Sequence, residues 1–132
     1  MKINMKNSLI LILLLLLAFL SCESLKKKTF YHTDLDFDTK IFIGTRIYYG
    51  DVYVGRVSKI YISIEKKEKE VEFFLFVEYS DIGREGSKII FKVDSDNIVK
   101  WIDIVTEIDF ENSIKLPEGG YFISTIDHLE NF

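Results

Sequence analysis

The sequence has little of the chemistry that most enzymes use. Its single cysteine, Cys22, excludes any intrachain disulfide. Its two histidines, His32 and His128, stand near opposite ends of the chain, and His32 has no second histidine or cysteine at the spacing of a metal site. Gly119-Gly120 lacks the remaining elements of a nucleotide-binding fingerprint. We therefore expect no enzyme activity, no cofactor and no metal site.

One acidic stretch invites a metal interpretation. Asp34, Asp36 and Asp38 alternate with Leu35 and Phe37. The spacing does not fit a calcium-binding loop, because the loop glycine and the closing glutamate are missing. On a strand the three acids would share one solvated face while the two apolar side chains face inward, and this is the arrangement we expect.

The one long apolar run lies at the N-terminus. Met1 to Lys6 carries two lysines and no acid, Leu9 to Leu20 is unbroken and apolar, and Ser21-Cys22 follows. This is the order of regions in an export signal. The run of about 12 residues is shorter than the roughly 17 to 25 residues of a membrane-spanning helix. We predict that residues 1–21 are a signal peptide.

The position of Cys22 indicates which kind of signal this is. Phe19-Leu20-Ser21-Cys22 resembles a bacterial lipobox, in which cleavage leaves the cysteine as the new N-terminus and its sulfur carries a diacylglycerol. Leucine is usual at the position of Phe19, and a smaller residue is commoner at Leu20. The alternative is an incidental cysteine in an ordinary signal. We predict that Cys22 is the lipid attachment site and that residues 22–37 form a tether.

The charge balance excludes one class of partner. Removal of residues 1–21 takes away Lys2 and Lys6 but no acid, so the net charge changes from −4 to about −6. No basic face large enough to neutralise several phosphates remains. We expect no nucleic-acid partner.

The strongest fold signal runs from Ile41 to Ser63. Apolar and polar residues alternate, Gly50-Asp51 interrupts the alternation, and Gly55 interrupts it again before Arg56 to Ile60. A two-residue interruption between alternating runs is typical of a β-hairpin, and a glycine within a strand marks a bulge or a close backbone approach. We predict a hairpin followed by a strand that bends at Gly55 and continues, as small closed barrels require.

Further short strands complete an all-β pattern, with no convincing helical stripe after the signal. They are predicted at Val71–Tyr79, Ser87–Asp94, Trp101–Asp109 and Tyr121–Thr125. In the first of these, Phe74 and Phe76 fall on the nominally polar face and need cover from a neighbouring subunit, from lipid or from a loop of the same chain. The only proline, Pro117, falls in a turn. The pattern predicts a barrel or a sandwich.

One segment resembles a known family. Gly44 to Ile60, GTRIYYGDVYVGRVSKI, is similar to the core of the MCE domain, in which a hairpin glycine precedes a Val-Gly-x-Val-x-x-Ile run. Ile82–Phe91 resembles the segment leading into the next strand of that domain, and Trp101–Ile104 and Leu116–Ile123 resemble its two closing elements. The similarity extends over about Asp38 to Ser124.

The resemblance implies one small seven-stranded β-barrel over residues 38–126, with residues 127–132 as a short tail. It implies a homo-oligomer, a hexameric ring whose central pore is lined by apolar loop residues. Such rings bind phospholipid and pass it between bacterial membranes together with the permease and ATPase of an ABC transporter. The matching pore loop is Asp94 to Lys100, which puts Ile98 and Val99 at the opening; the alternative is that these two residues simply start the next strand. We expect their joint replacement by aspartate to abolish lipid crosslinking and leave the fold intact.

The sequence departs from the family pattern at three places. Gly83-Arg84-Glu85 replaces the usual proline before the pore strand, the pore-loop glycine is missing near Ile98, and a lipidation signal replaces the usual transmembrane helix. About seven residues follow Thr125, so we expect no long helical tube.

Two functions fit these features. The first is a protein that is lipid-anchored to the inner or outer membrane of a bacterial envelope, faces the periplasm and takes part in inter-membrane lipid transport. The alternative is a small surface or periplasmic lipoprotein with a structural or adhesive role. A discrete oligomer that co-purifies with phospholipid would separate the first from the second.

Overall fold

The computed structural model describes residues 5–24, 28–106 and 112–130, and for the first of these ranges it describes side chains over residues 6–17 only. One helix, α1, spans Met5–Ser24. Seven strands follow: β1 Thr29–Leu35, β2 Arg46–Tyr49, β3 Val52–Ser63, β4 Glu68–Leu75, β5 Ser87–Val93, β6 Val99–Thr106 and β7 Tyr121–His128. A 3₁₀ helix, Val77–Ile82, lies between β4 and β5.

The strands close into a barrel in the order β1-β4-β3-β2-β6-β5-β7. The β1–β7, β2–β6 and β5–β7 pairs are parallel, and the other pairs are antiparallel. We call the end at which β1 begins the lower end, and the end at which β1 finishes the upper end. The predicted all-β class and the seven-stranded barrel are confirmed.

Alternation along the strands fills the barrel interior. Every second residue of β4 and β5 is fully buried: Val71, Phe73, Leu75, Ile89, Phe91 and Val93. Ile102 and Ile104 of β6 join the same core. These are the inward positions that the period of two predicts.

The β2–β3 hairpin has the two-residue turn that the sequence predicts. Gly50 adopts a φ of 61°, in the left-handed region that glycine occupies without strain. Gly55 lies inside β3 and packs against the backbone of Phe74 in β4, where a side chain would have no room. The register of β3 against β2 shifts directly beside Gly55, because Ile47 pairs with Gly55 and Tyr48 pairs with Tyr53. A second shift, against β4, lies between Val57 and Lys59. Gly55 is therefore a site of close backbone approach that also borders a bulge.

The predicted strand Val71–Tyr79 is wrong at its C-terminal end. Leu75 pairs with Thr29, the first residue of β1, and with Gly55 of β3. Beyond Leu75 the Phe76 N–H still donates to the carbonyl of Val54 in β3 at 2.8 Å, and the backbone then turns into the 3₁₀ helix Val77–Ile82.

The barrel also extends beyond the predicted limits of 38–126. It begins with β1 at Thr29, inside the segment predicted to be a tether, and its last strand continues to His128. Apolar alternation is weak in β1 because a buried inward position holds Thr33, whose hydroxyl donates to the carbonyl of Phe122 at 2.9 Å. A hydrogen-bonded threonine can face a core at little cost, and it hides the strand from a hydrophobic pattern.

Helix α1 contains the apolar run of the predicted signal. Its side chains from Leu9 to Leu17 are more than half exposed. Among the described residues, no helix reaches both the length and the hydropathy of a membrane span. The side chain of Cys22, the predicted lipid attachment site, and Glu107 to Asp109 of the predicted strand Trp101–Asp109 lie outside the described residues.

Candidate functional site

The segment between β1 and β2 closes the upper end of the barrel. The Lys40 N–H donates to the carbonyl of Asn97 at 2.9 Å, and the Val99 N–H donates to the carbonyl of Lys40 at 2.8 Å. The side chain of Ile41 is buried in the core beneath these bonds. The segment is thereby held across the top of β6.

The predicted pore loop is a tightly bonded turn at this upper end. The carboxylate of Asp94 accepts hydrogen bonds from the N–H groups of Asp96 at 2.9 Å and Ile98 at 3.0 Å. The Lys100 ammonium lies 3.3 Å from the other carboxylate oxygen. The bond from Ile98, with the contribution of Lys100, lowers the pKa of Asp94 below its ordinary value. Asn97 takes a φ of 62°, which asparagine tolerates in place of the expected glycine.

The two predicted pore residues occupy different environments. Val99 is the first residue of β6 and is only 3% exposed, packed in the barrel core. Ile98 is half-buried and forms an isolated bridge with Lys40. A carboxylate in place of Val99 would stand in the core, so we now expect the joint aspartate replacement to destabilise the fold.

Four large apolar side chains are exposed near the upper end, and we call them the apolar rim. Two lie in the turn before β2 and two lie on the β3–β4 hairpin: Phe42, Ile43, Ile62 and Ile64, between 58% and 80% exposed. Exposure of this extent on one end of a small domain indicates a surface that meets an apolar partner.

Backbone bonds fix the first half of the rim. The Gly44 N–H donates to the carbonyl of Val57 at 2.9 Å, and the hydroxyl of Thr45 donates to the carbonyl of Phe42 at 2.6 Å. Gly44 adopts a φ of 91°, which only glycine enters readily. Phe42 and Ile43 are therefore held at the tip of a defined turn.

The second half of the rim lies on a strand with one open edge. β3 has 12 residues and β2 has 4, and their pairing stops at Arg46 opposite Arg56. Among the described residues, no strand pairs with Lys59 to Ser63 on the β2 side. An open edge beside exposed isoleucines is a surface ready for an intermolecular contact.

The apolar rim was not predicted from the sequence, although the sequence contains two patterns that indicate it. The alternation Ile60, Ile62, Ile64 continues into the charged turn after β3, beyond the point where a barrel strand would end. The pair Phe42-Ile43 stands directly before Gly44, in a segment where a solvated turn is expected.

A groove of about 560 Å³ lies on the outer wall where β2 meets β6. Arg46, Tyr48, Lys100, Trp101 and Asp103 are among the residues that line it. It combines two aromatic rings with charges of both signs, which suits a polar partner surface better than an acyl chain.

The acids and histidines do not assemble a catalytic or metal centre within the described residues. His32 lies in the β1 wall with Nδ1 2.8 Å from Glu70 Oε1, whereas His128 ends β7 at the upper end. Glu70 also accepts a 2.8 Å hydrogen bond from the hydroxyl of Tyr121, and this bond raises the pKa of Tyr121. No group of three potential metal ligands occurs in the part of the chain that the structure describes.

Comparison with solved structures defines the class of fold. The chain is similar to a chain of the Acinetobacter MlaFEDB complex in an ATP-bound conformation, with a TM-score of 0.59 and 11% sequence identity. The superposition covers 98% of this chain and 96% of the other, so the likeness extends over nearly the full length of both chains. No family model matches the sequence, and no curated protein has significant sequence similarity to it. At this identity the likeness establishes the fold.

Proposed function

We propose that this chain is a lipid-anchored envelope protein with an MCE-like barrel that binds phospholipid within an inter-membrane lipid transport system. The observation that carries the proposal is an exposed apolar rim on a seven-stranded barrel that matches a chain of the ATP-bound MlaFEDB complex over nearly its whole length. Cys22 carries the anchor, and an ABC transporter permease and ATPase are the partners. The protein faces the periplasm.

The rim supplies the contact with acyl chains. Burial of a valine- to phenylalanine-sized side chain contributes about 1.5–3 kcal/mol, and each buried methylene of a ligand contributes about 0.8 kcal/mol. Ile98 is half-buried at the same end as Phe42 and Ile43, and it extends the apolar surface toward the predicted pore loop. In this proposal the rim replaces Val99 as the main apolar lining.

Several copies of the rim would form one continuous apolar path. A closed ring requires two different patches on each protomer that fit each other. On this barrel the exposed outer face of β7, with Tyr121 and Ile123, lies on the wall away from the groove between β2 and β6. We propose that Ile123 of one protomer packs against the outer face of β6 on the next protomer, with Arg46 and Tyr48 of β2 outside this contact.

Acyl crosslinking tests the proposal. The full chain is produced in a bacterial host that incorporates a phospholipid with a photoactivatable acyl chain, and crosslinked lipid is measured on the purified protein. Ile43→Asp is compared with Ile114→Asp, because these side chains are 68% and 66% exposed and lie at opposite ends of the barrel. Loss of about 1.5 kcal/mol of apolar contact lowers binding about tenfold, so we expect Ile43→Asp to reduce crosslinking by that factor.

The control variant fixes the interpretation. Ile114→Asp should crosslink as strongly as the unchanged protein. Equal crosslinking by both folded variants would contradict the rim as the lipid contact. Absence of crosslinking in the unchanged protein would favour a structural or adhesive lipoprotein.

A further inference from the structure

A chain of aromatic rings crosses the outer wall of the barrel near its lower end. Successive ring centroids are 5.9, 5.7, 5.2 and 5.9 Å apart. The chain crosses four neighbouring strands in the order β1, β4, β3, β2. We call these residues the aromatic band: Phe30, Phe74, Phe76, Tyr53 and Tyr48.

The band faces outward because its residues alternate with core residues. Phe74 stands between the buried Phe73 and Leu75, and Tyr53 precedes the buried Val54. Phe76, directly after β4, stacks on Tyr53 with the ring planes 17° apart. Phe74 is only 5% exposed, whereas Phe30, Phe76, Tyr53 and Tyr48 are half-buried. The outer wall therefore carries a partly exposed aromatic surface built on the buried ring of Phe74.

Three cations lie over the faces of these rings. Lys28 Nζ is 4.5 Å from the centroid of Phe74, and the Arg56 guanidinium carbon is 5.5 Å from the same centroid. The Arg46 guanidinium carbon is 4.8 Å from the centroid of Tyr53. Although the net charge of the protein is −4, this part of the wall therefore carries three basic side chains, each over an aromatic ring.

Toward the upper end the same wall carries charges of both signs. The outward residues of β4, read from the lower end upward, are Phe74, Glu72 and Glu70, and Lys59 of β3 stands opposite Glu72. The wall thus has an aromatic and cationic lower part and an upper part of mixed charge. An anionic surface would attract the lower part more strongly than the upper part.

The position of the N-terminal anchor brings the lower end close to a membrane. Lys28 follows Cys22 by six positions, and six residues span at most about 21 Å when fully extended. Lys26 and Lys27 stand in this short connection and add basic charge. Beside Lys28, Phe76 and the exposed Val77 line a groove of about 260 Å³ together with Glu78.

We propose that the aromatic band and its cations rest on the anionic headgroup layer of the membrane that holds the anchor. This inference depends on the part of the proposed function that places a lipid anchor at Cys22. Aromatic rings with polar or charged neighbours are the side chains that favour the headgroup region, and basic residues bind anionic lipid there. The barrel is thereby oriented with its apolar rim directed away from that membrane.

Tryptophan quenching by brominated lipids tests this orientation. Val77→Trp reports on the lower end and His128→Trp, at an exposed residue outside the apolar rim, on the upper end, both in the full chain with the only native tryptophan removed by Trp101→Phe. The proteins are reconstituted in vesicles of phosphatidylglycerol and phosphatidylcholine with bromine near the headgroup, and flotation with the vesicles is measured on the same samples. We expect at least about twofold stronger quenching of the lower probe than of the upper probe, and weaker quenching at high salt because exposed charges are screened.

Charge variants identify the contact. The double variant Arg46→Gln with Arg56→Gln should reduce quenching of the lower probe about twofold. The control is the double variant Lys59→Gln with Lys66→Gln, whose two lysines are exposed nearer the upper end, and it should leave the quenching of the lower probe unchanged. Floating protein with an unquenched lower probe, or with equal quenching of both probes, would overturn the orientation. Protein that does not float with the vesicles would contradict the lipid anchor at Cys22 and therefore also this inference. Crosslinking at the rim is measured separately, so a failure of lipid transport would leave these outcomes unaffected.

Discussion

Gly55 in β3 lies directly against the backbone of Phe74 in β4, with no space between them for a side chain. The contact occurs where β4 reaches the lower end and the aromatic band crosses the wall. Backbone cannot move aside as the end of a flexible side chain can, so the strand spacing at this point depends on glycine.

Replacement of Gly55 by alanine should therefore destabilise the barrel. We expect a loss of about 3 kcal/mol or more in the free energy of unfolding, measured by denaturant titration, because the methyl group forces β3 and β4 apart. Gly50→Asn is the matched control. Gly50 has no other atom within 4 Å of the added Cβ and a φ of 61°, a conformation that asparagine tolerates, so the expected loss is below about 1 kcal/mol. Equal losses in the two variants would contradict the close approach at Gly55.

Val99 and Ile98 should respond differently to aspartate. Val99→Asp places a carboxylate in the core, so we expect a loss of about 4 kcal/mol or an unfolded protein. Ile98→Asp should fold, because its side chain is only half-buried, and thermal unfolding followed by circular dichroism measures both. A stable Val99→Asp variant would show that Val99 is not a core residue in solution.

The Asp94 turn should make stability depend on pH. Its pKa is lower in the folded chain than the ordinary value of 3.8, so its contribution to stability is complete above pH 3.8 and is lost as the pH falls through the folded pKa. Asp94→Asn should weaken the dependence of stability on pH in this range. The fraction of unfolded protein is measured by acid titration at a fixed denaturant concentration. Asp96→Asn, at an exposed acid of the same turn, should retain the dependence of the unchanged protein. A profile of Asp94→Asn that matches that of the unchanged protein would contradict the role of the turn.

Ring assembly should depend on the outer face of β7. Ile123→Asp puts a charge in the proposed contact between protomers, so we expect the full chain in detergent to shift from an oligomer to a monomer by light scattering. Ile114→Asp removes a similarly exposed isoleucine from a loop between β6 and β7 and should leave the mass unchanged. A ring that survives Ile123→Asp would exclude this face as the interface.

Much of the fold was readable from the sequence because its strands obey a period of two. The β2–β3 hairpin and the inward positions of β5 are confirmed, since each has apolar residues on one face and turn residues between. β1 was not predicted because the polar Thr33 occupies a buried inward position and breaks the apolar pattern. Its burial is possible because its hydroxyl donates a hydrogen bond to the carbonyl of Phe122. The end of β4 was overextended because Val77 continues the alternation, although the pairing with β1 ends at Leu75 and the chain enters the 3₁₀ helix.

The candidate site was less predictable because exposure depends on tertiary pairing. Ile98 and Val99 are both apolar neighbours in one loop, and only the bridge from Lys40 to Ile98 determines that Val99 enters the core. The exposure of Ile62 depends on the unequal lengths of β2 and β3, which local periodicity does not encode. The predicted pore loop lies at the same end of the barrel as the apolar rim, with Ile98 half-buried and Val99 in the core.

The most direct test of the proposed function is the mass and lipid content of the full chain purified from a bacterial envelope in mild detergent. We expect one discrete ring-sized oligomer, measured by light scattering corrected for detergent, with phospholipid recovered by solvent extraction from the same particles. A monomer that carries no phospholipid beyond its covalent anchor would contradict the lipid-transport proposal.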